Sequence, residues 1–180
     1  MSKVVLITGS PRSGGNSGHL ASKFETAAKE AGIEVVKFDA VGLNMRGCYA
    51  CNGCFQRGAC VIEQKFNEVA EAILDADGVV LAFPVYWYAM PAQIKSLWDH
   101  FYAFCVGQKD LSGKKAALIS CCAEPDEGTF AGVKFAFEKT MELLQVEVVG
   151  EVLATGLQDP GAAWGTEWAD QAAALAEQFA

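Results

Sequence analysis

The chain has 180 residues, a length that fits one domain spanning 1–180 and can bury a core without a disulfide or metal staple. Lys and Arg number 14 against 22 Asp and Glu, and the resulting net charge of −8 with no basic run argues against a nucleic-acid partner, which would need phosphates neutralised. No stretch approaches the ~20 apolar residues of a membrane helix, and the apolar run at the N-terminus ends at Ile7, too short for an export signal.

Short β-branched runs alternate with helix-period stretches along the whole chain. Residues 4–8 read as a buried strand. A helix from about Ser17 to Ala31 follows, with Leu20, Phe24, Ala27 and Ala31 along one side and Gly32 as its terminator. Residues 33–38 form the second strand, and Phe66, Val69, Ala70, Ile73 and Leu74 mark the second helix. The third strand is 78–83; Pro91 then opens a helix bearing Ile94, Leu97, Trp98 and Phe101. Residues 116–120 are the fourth strand, a helix follows near 133–144, and the fifth strand lies within 146–153. Trp164, Trp168, Leu175 and Phe179 stripe a last helix. Five strands alternating with five helices imply an α/β three-layer sandwich, a parallel sheet with helices on both faces. The flavodoxin-like order 2-1-3-4-5 is the common solution at this size, and right-handed crossovers limit the alternatives.

The segment 9–17, Gly-Ser-Pro-Arg-Ser-Gly-Gly-Asn-Ser, joins the first strand to the first helix. Glycines let backbone N–H groups approach a phosphate, and the helix N-terminus adds a positive dipole end. Ser10, Ser13, Asn16 and Ser17 offer short polar side chains, and Arg12 adds a charge. No Gly-Lys-Ser/Thr ending is present, so this is no P-loop, and no G-x-G-x-x-G with a later acid marks a Rossmann site. A polar turn that merely caps the helix is the plain alternative. After the third strand, Pro84 to Pro91 carries three consecutive aromatics between two prolines. A surface loop is normally polar. A flat apolar ring system with polar edges explains such a loop, as does burial under another subunit.

The two segments G-S-P-R-x-x-G-N-S and P-V-Y-W-x-x-M-P-A-Q-x-K-x-x-x-D resemble the NADPH-dependent FMN reductase and iron–sulfur flavoprotein superfamily. The likeness covers most of the chain in order. It implies that Ser10, Arg12, Asn16 and Ser17 bind an FMN phosphate, and that Pro84, Val85, Tyr86 and Trp87 cradle the isoalloxazine and ribityl. It also implies a fourth-strand loop, beginning at Ser120, against the ring's other side. NAD(P)H is the implied electron donor, and relatives form dimers or tetramers. The 52% hydrophobic composition agrees with surface hidden in an oligomer.

Cys48, Cys51, Cys54 and Cys60 follow the second strand with the spacing C-x2-C-x2-C-x5-C. Thiolates this dense suit an iron–sulfur cluster or zinc; free thiols or a labile disulfide are the other readings. The spacing resembles that of the iron–sulfur flavoproteins, which implies a [4Fe–4S] cluster on these four residues. Seven cysteines without an export signal suggest a reducing, cytoplasmic setting. Cys105, Cys121 and Cys122 read as core packing, and His19 and His100 as exposed or capping residues. No H-E-x-x-H or G-x-S-x-G supports a hydrolase.

Three functions follow. The first is an FMN-dependent oxidoreductase passing electrons from NAD(P)H to a quinone or other small acceptor. The second is an iron–sulfur flavoprotein carrier fed by ferredoxin. The third is a non-catalytic redox or metal sensor using the cysteine segment.

Overall fold

The computed structural model describes residues 1–180. A parallel sheet forms its centre, in the order β2-β1-β3-β4-β5. The strands are β1 (Lys3–Thr8), β2 (Glu34–Asp39), β3 (Gly78–Pro84), β4 (Lys115–Cys121) and β5 (Glu147–Ala154). The principal helices are α1 (Asn16–Glu30), α4 (Gln64–Asp75), α5 (Ala92–Asp99), α7 (Ala131–Leu143) and α8 (Glu167–Ala174). Short helices intervene: α2 (Ala40–Leu43), α3 (Cys54–Arg57) and α6 (Tyr102–Val106).

The β1 and β3 strands are buried on both sides, and successive residues feed opposite cores because side chains alternate along a strand. Val4, Leu6, Val80, Ala82, Ala117 and Ile119 face Leu20 and Phe24 of α1, together with Ala172 of α8 and Phe179. Val5, Ile7, Leu81, Phe83 and Leu118 face Phe66, Ile94, Trp98, Phe104 and Phe137. The order reverses between β1 and β3, so their carboxyl ends diverge into a crevice that no crossover covers. No helix is long and apolar enough to cross a membrane.

Two elements depart from the sequence expectation. The helix expected to run from Pro91 through Phe101 breaks at His100 into α5 and α6. Trp164 does not stripe the last helix. It sits in the preceding turn, 49% exposed, where Gly161 and Gly165 take positive φ (+89° and +70°), and its ring packs on His19 at 4.8 Å.

Candidate functional site

The carboxyl ends of β1, β3, β4 and β5 enclose a cavity of about 310 Å³. That lies in the range of small-molecule sites. The loop after β1 reaches it by tight packing. Gly9 N–H continues the ladder to the Ala82 carbonyl at 2.9 Å, and a Cβ on Gly9 would stand 2.2 Å from Ile94 Cγ1. The Ser10 hydroxyl accepts from the Arg12 N–H at 3.3 Å, and Gly15 N–H donates to the Arg12 carbonyl at 3.2 Å. Gly14, at φ +70°, lets the chain turn there. This brings the first turn of α1 to the cavity, where the N–H groups of a helix have no intrahelical acceptor. Arg12 is the one cation on the wall, and no carboxylate lines it although the chain carries 22 Asp and Glu. Donors without competing acids suit a bound anion.

The β3 wall is Pro84, Val85 and Tyr86, held by the Val85 N–H to the Cys121 carbonyl at 2.8 Å. Tyr86 and Ala89 then exchange backbone hydrogen bonds of 3.0 and 3.1 Å around a two-residue turn. Its central residues, Trp87 and Tyr88, both have positive φ, 49° and 61°. Such turns ordinarily take Gly or Asn, so bulky aromatics here hold local backbone strain. The β4 wall is Cys121, Cys122 and Ala123. Burial pushes the Cys121 thiol up to about 12, only partly opposed by Ser17, and it pushes Cys122 up as well, so both are neutral thiols at pH 7. The last wall, Leu157, Gln158 and Pro160, comes from the loop after β5.

Seven of the nine expected cofactor residues line this cavity: Ser10, Arg12, Asn16, Ser17, Pro84, Val85 and Tyr86. The structure places three of the nine in ways the sequence does not indicate. Trp87 does not line it; the positive-φ turn aims its ring outward, 94% exposed. Ser120 is fully buried and donates its hydroxyl to the Phe83 carbonyl at 2.9 Å, so it ties β4 to β3 and leaves the wall to the residues after it. The Asn16 side chain is spent on the β5 loop, bonding the Leu157 and Asp159 carbonyls and the Gly161 and Ala163 N–H groups, which leaves its backbone N–H for an anion. The β5 loop escaped notice in the sequence. Its only signal is the run of glycines at 156, 161 and 165, all at positive φ.

Cys48, Cys51, Cys54 and Cys60 share a second, smaller cavity with Tyr49, Val61 and His100. Local geometry gathers them around it. Ala50 and Asn52 adopt positive φ, 52° and 58°, between the first three cysteines. Gly53 has no room for a side chain, since a Cβ would lie 2.4 Å from Val61 Cγ2. Cys60 is clamped on both sides of its backbone by the Asn67 amide, at 2.9 and 2.8 Å. Backbone N–H groups point at two sulfurs, Ala50 to Cys48 at 3.5 Å and Glu63 to Cys60 at 3.2 Å. The Cys54 thiol is pushed up by burial, and further by the other three thiols. A single tetrahedral ion, with Zn–S of about 2.3 Å, needs its donors bunched within roughly 4 Å of one another. No group of three His, Cys, Asp or Glu side chains is placed to hold a single metal ion.

His100, expected to be exposed or capping, is 5% exposed. Its Nδ1 lies 2.7 Å from the Ser96 carbonyl oxygen, which can only accept, so Nδ1 carries the proton. The ring packs on Phe66 at 5.3 Å, and the residue borders the cysteine cavity. Only the break between α5 and α6, invisible to periodicity, puts it there.

Residues 2–156 match the family model described as NADPH-dependent FMN reductase. An iron-sulfur flavoprotein of Methanocaldococcus jannaschii is 28% identical over 163 residues, covering 91% of this chain and 80% of that protein. Another, from Methanosarcina thermophila, is 36% identical over 118 residues, 66% of this chain and 62% of that protein, so this chain spans less than two thirds of its length. Among solved structures, an azoreductase from Bacillus anthracis strain Sterne superposes with TM-score 0.71 at 24% identity, covering 99% of this chain and 100% of the other. The last shows the shared flavodoxin-like fold. With the family model spanning both loops and the cysteine segment, the chain belongs to the NADPH-dependent FMN reductase family.

Proposed function

We propose that the chain, an FMN-dependent oxidoreductase by family, takes electrons from NAD(P)H and delivers them to a quinone or another small acceptor. The observation that carries this reading is the carboxylate-free cavity at four strand ends, with Arg12 and the first turn of α1 on its wall. The Ser10 hydroxyl, the Arg12 guanidinium and the N–H groups of Asn16 and Ser17 would hold the phosphate. Pro84, Val85 and Tyr86 would flank the ring, with the neutral thiols of Cys121 and Cys122 on another wall. FMN held there would supply the hydride-accepting and electron-releasing chemistry. The chain's own work is to bind, orient and shield, and no side chain has to act as an acid or base for hydride transfer.

A second reading has its own support. Four cysteines around one cavity, and relatives named iron-sulfur flavoproteins, favour a [4Fe–4S] cluster on Cys48, Cys51, Cys54 and Cys60. In that form the chain would also relay single electrons from a ferredoxin. Exposed aromatics at Tyr49, Phe55 and Trp87 support assembly into a homodimer or homotetramer.

One anaerobic preparation tests these readings together. Its visible spectrum, iron and labile sulfide content, and rates with NADPH and with reduced ferredoxin are measured. The oxidoreductase reading expects bound FMN and NAD(P)H oxidation with a quinone. Failure to quench the fluorescence of added FMN ends it. Absence of iron and sulfide ends the cluster reading. Thiol or zinc responses without NAD(P)H turnover would instead point to a sensor.

A further inference from the structure

Asn16 lies in the glycine-rich loop and helix start where a phosphate contact is expected, yet its side chain faces another partner. The amide is 9% exposed and makes four hydrogen bonds, all to one segment. Its Nδ2 donates to the carbonyls of Leu157 at 3.1 Å and Asp159 at 2.9 Å. Its Oδ1 accepts from the N–H groups of Gly161 at 3.1 Å and Ala163 at 3.2 Å. Those are all the donor and acceptor positions an Asn amide has, so none remains for a ligand.

The gripped segment contains no strand or helix, so its shape is not set by a ladder of its own. It nonetheless supplies Leu157, Gln158 and Pro160 to the cavity wall. Its near end is tied to the loop after β4, through Gly156 N–H to the Glu124 carbonyl at 2.9 Å and Leu157 N–H to the Cys122 carbonyl at 2.8 Å. From Leu157 to Ala163, Asn16 provides the tie to α1. One residue therefore joins the anion-facing turn of α1, through its backbone, to the wall after β5, through its side chain.

We propose that Asn16 is a positioning residue whose side chain latches the 157–163 wall, so that it governs affinity for the ligand irrespective of the phosphate. This rests on the FMN reading above. A phosphate contact and a latch differ in what they do to riboflavin, which lacks the phosphate.

The test is fluorescence titration of FMN and riboflavin against wild type, Asn16→Ala and Ser10→Ala, with hydrogen exchange of residues 157–163 measured on the same proteins without flavin. Asn16→Ala is expected to weaken both flavins by the same factor, about tenfold, and to speed exchange across 157–163. Ser10→Ala is expected to weaken FMN alone and to leave that exchange unchanged. Because four hydrogen bonds, two of them buried, are lost in Asn16→Ala, a second variant guards against misfolding. Gly161→Ala, at φ +89° with its Cβ 2.6 Å from the Trp164 ring, disturbs the same segment while Asn16 stays in place. It is expected to weaken both flavins equally as well. Loss of FMN affinity with riboflavin unchanged in Asn16→Ala, unaltered exchange there, or unaltered flavin affinities in Gly161→Ala would each overturn the latch. If wild type binds neither flavin, the FMN reading fails and the exchange measurement alone decides the latch.

Discussion

The strand-end cavity and the cysteine pocket are built in opposite ways. The cavity draws its walls from the ends of four strands, and its hydrogen bonds join residues as far apart as 141 and 147 positions. The four thiols of the cysteine pocket come from the single segment 48–60, gathered by two positive-φ residues and an Asn clamp seven positions away. The first is a product of topology, and the second is largely a product of local spacing. The two should therefore fail separately: a change in one should leave the other's ligand chemistry standing.

The largest separation is expected from Cys54→Ser. Removing one soft donor of four should cut iron per chain at least about tenfold after anaerobic reconstitution, while FMN affinity changes by less than about twofold. Iron analysis and flavin titration on one sample check it, and a parallel loss of flavin would mean the regions are coupled.

A smaller effect in the other direction is expected from Gly9→Ala. The new methyl meets Ile94 at 2.2 Å and the Phe83 Cβ at 3.2 Å, so the β1 end must shift or α5 must move. Overpacking of this kind costs about 1–3 kcal/mol, to be read by denaturant unfolding, and FMN binding should weaken with it. Iron bound per folded chain should hold.

A pH dependence of stability should be carried chiefly by the cavity thiol Cys121. Cys121 is pushed up to about 12 by burial, against 9.0 for an unburied thiol. Below pH 9 both the folded and the unfolded chain keep this proton, so it contributes no slope. Between pH 9 and 12 the unfolded chain releases the proton and the folded chain retains it, so stability falls as pH rises. The difference between wild-type and Cys121→Ala unfolding profiles isolates this contribution, on the order of a few kcal/mol by the top of the window. Iodoacetamide should meanwhile label the exposed Cys48 and Cys51 of the metal-free protein well before the buried Cys121 and Cys122. Equal labelling rates would contradict the contrast between the two regions.

Much of the fold was legible because its signals are local. A continuous apolar run such as Val79–Phe83 fits a doubly covered strand, and Phe66, Val69 and Ile73 fall on one buried helix face. The strand order rested on a general prior for chains of this size, and the pairing of β1 with both β2 and β3 agrees with it. The site was legible in part. Glycines at 9, 14 and 15 and the aromatic run after β3 announced two walls of the cavity. The wall after β5 was not announced, because 157–163 has no periodicity of its own and is held by partners distant in sequence, the Asn16 amide among them.

By itself, then, the sequence determined the alternation of strands and helices, the loop able to meet an anion, and four thiols within 13 residues of chain, since each depends on neighbours in sequence. Tertiary structure alone decided what individual polar side chains do. It turned Asn16 toward a loop 141 residues away, gave the Ser120 hydroxyl to the Phe83 carbonyl, and set His100 beside the cysteines. The physical reason is that a hydrogen-bonding group takes whichever partner the folded chain brings within about 3 Å, and spacing along the sequence does not specify that partner.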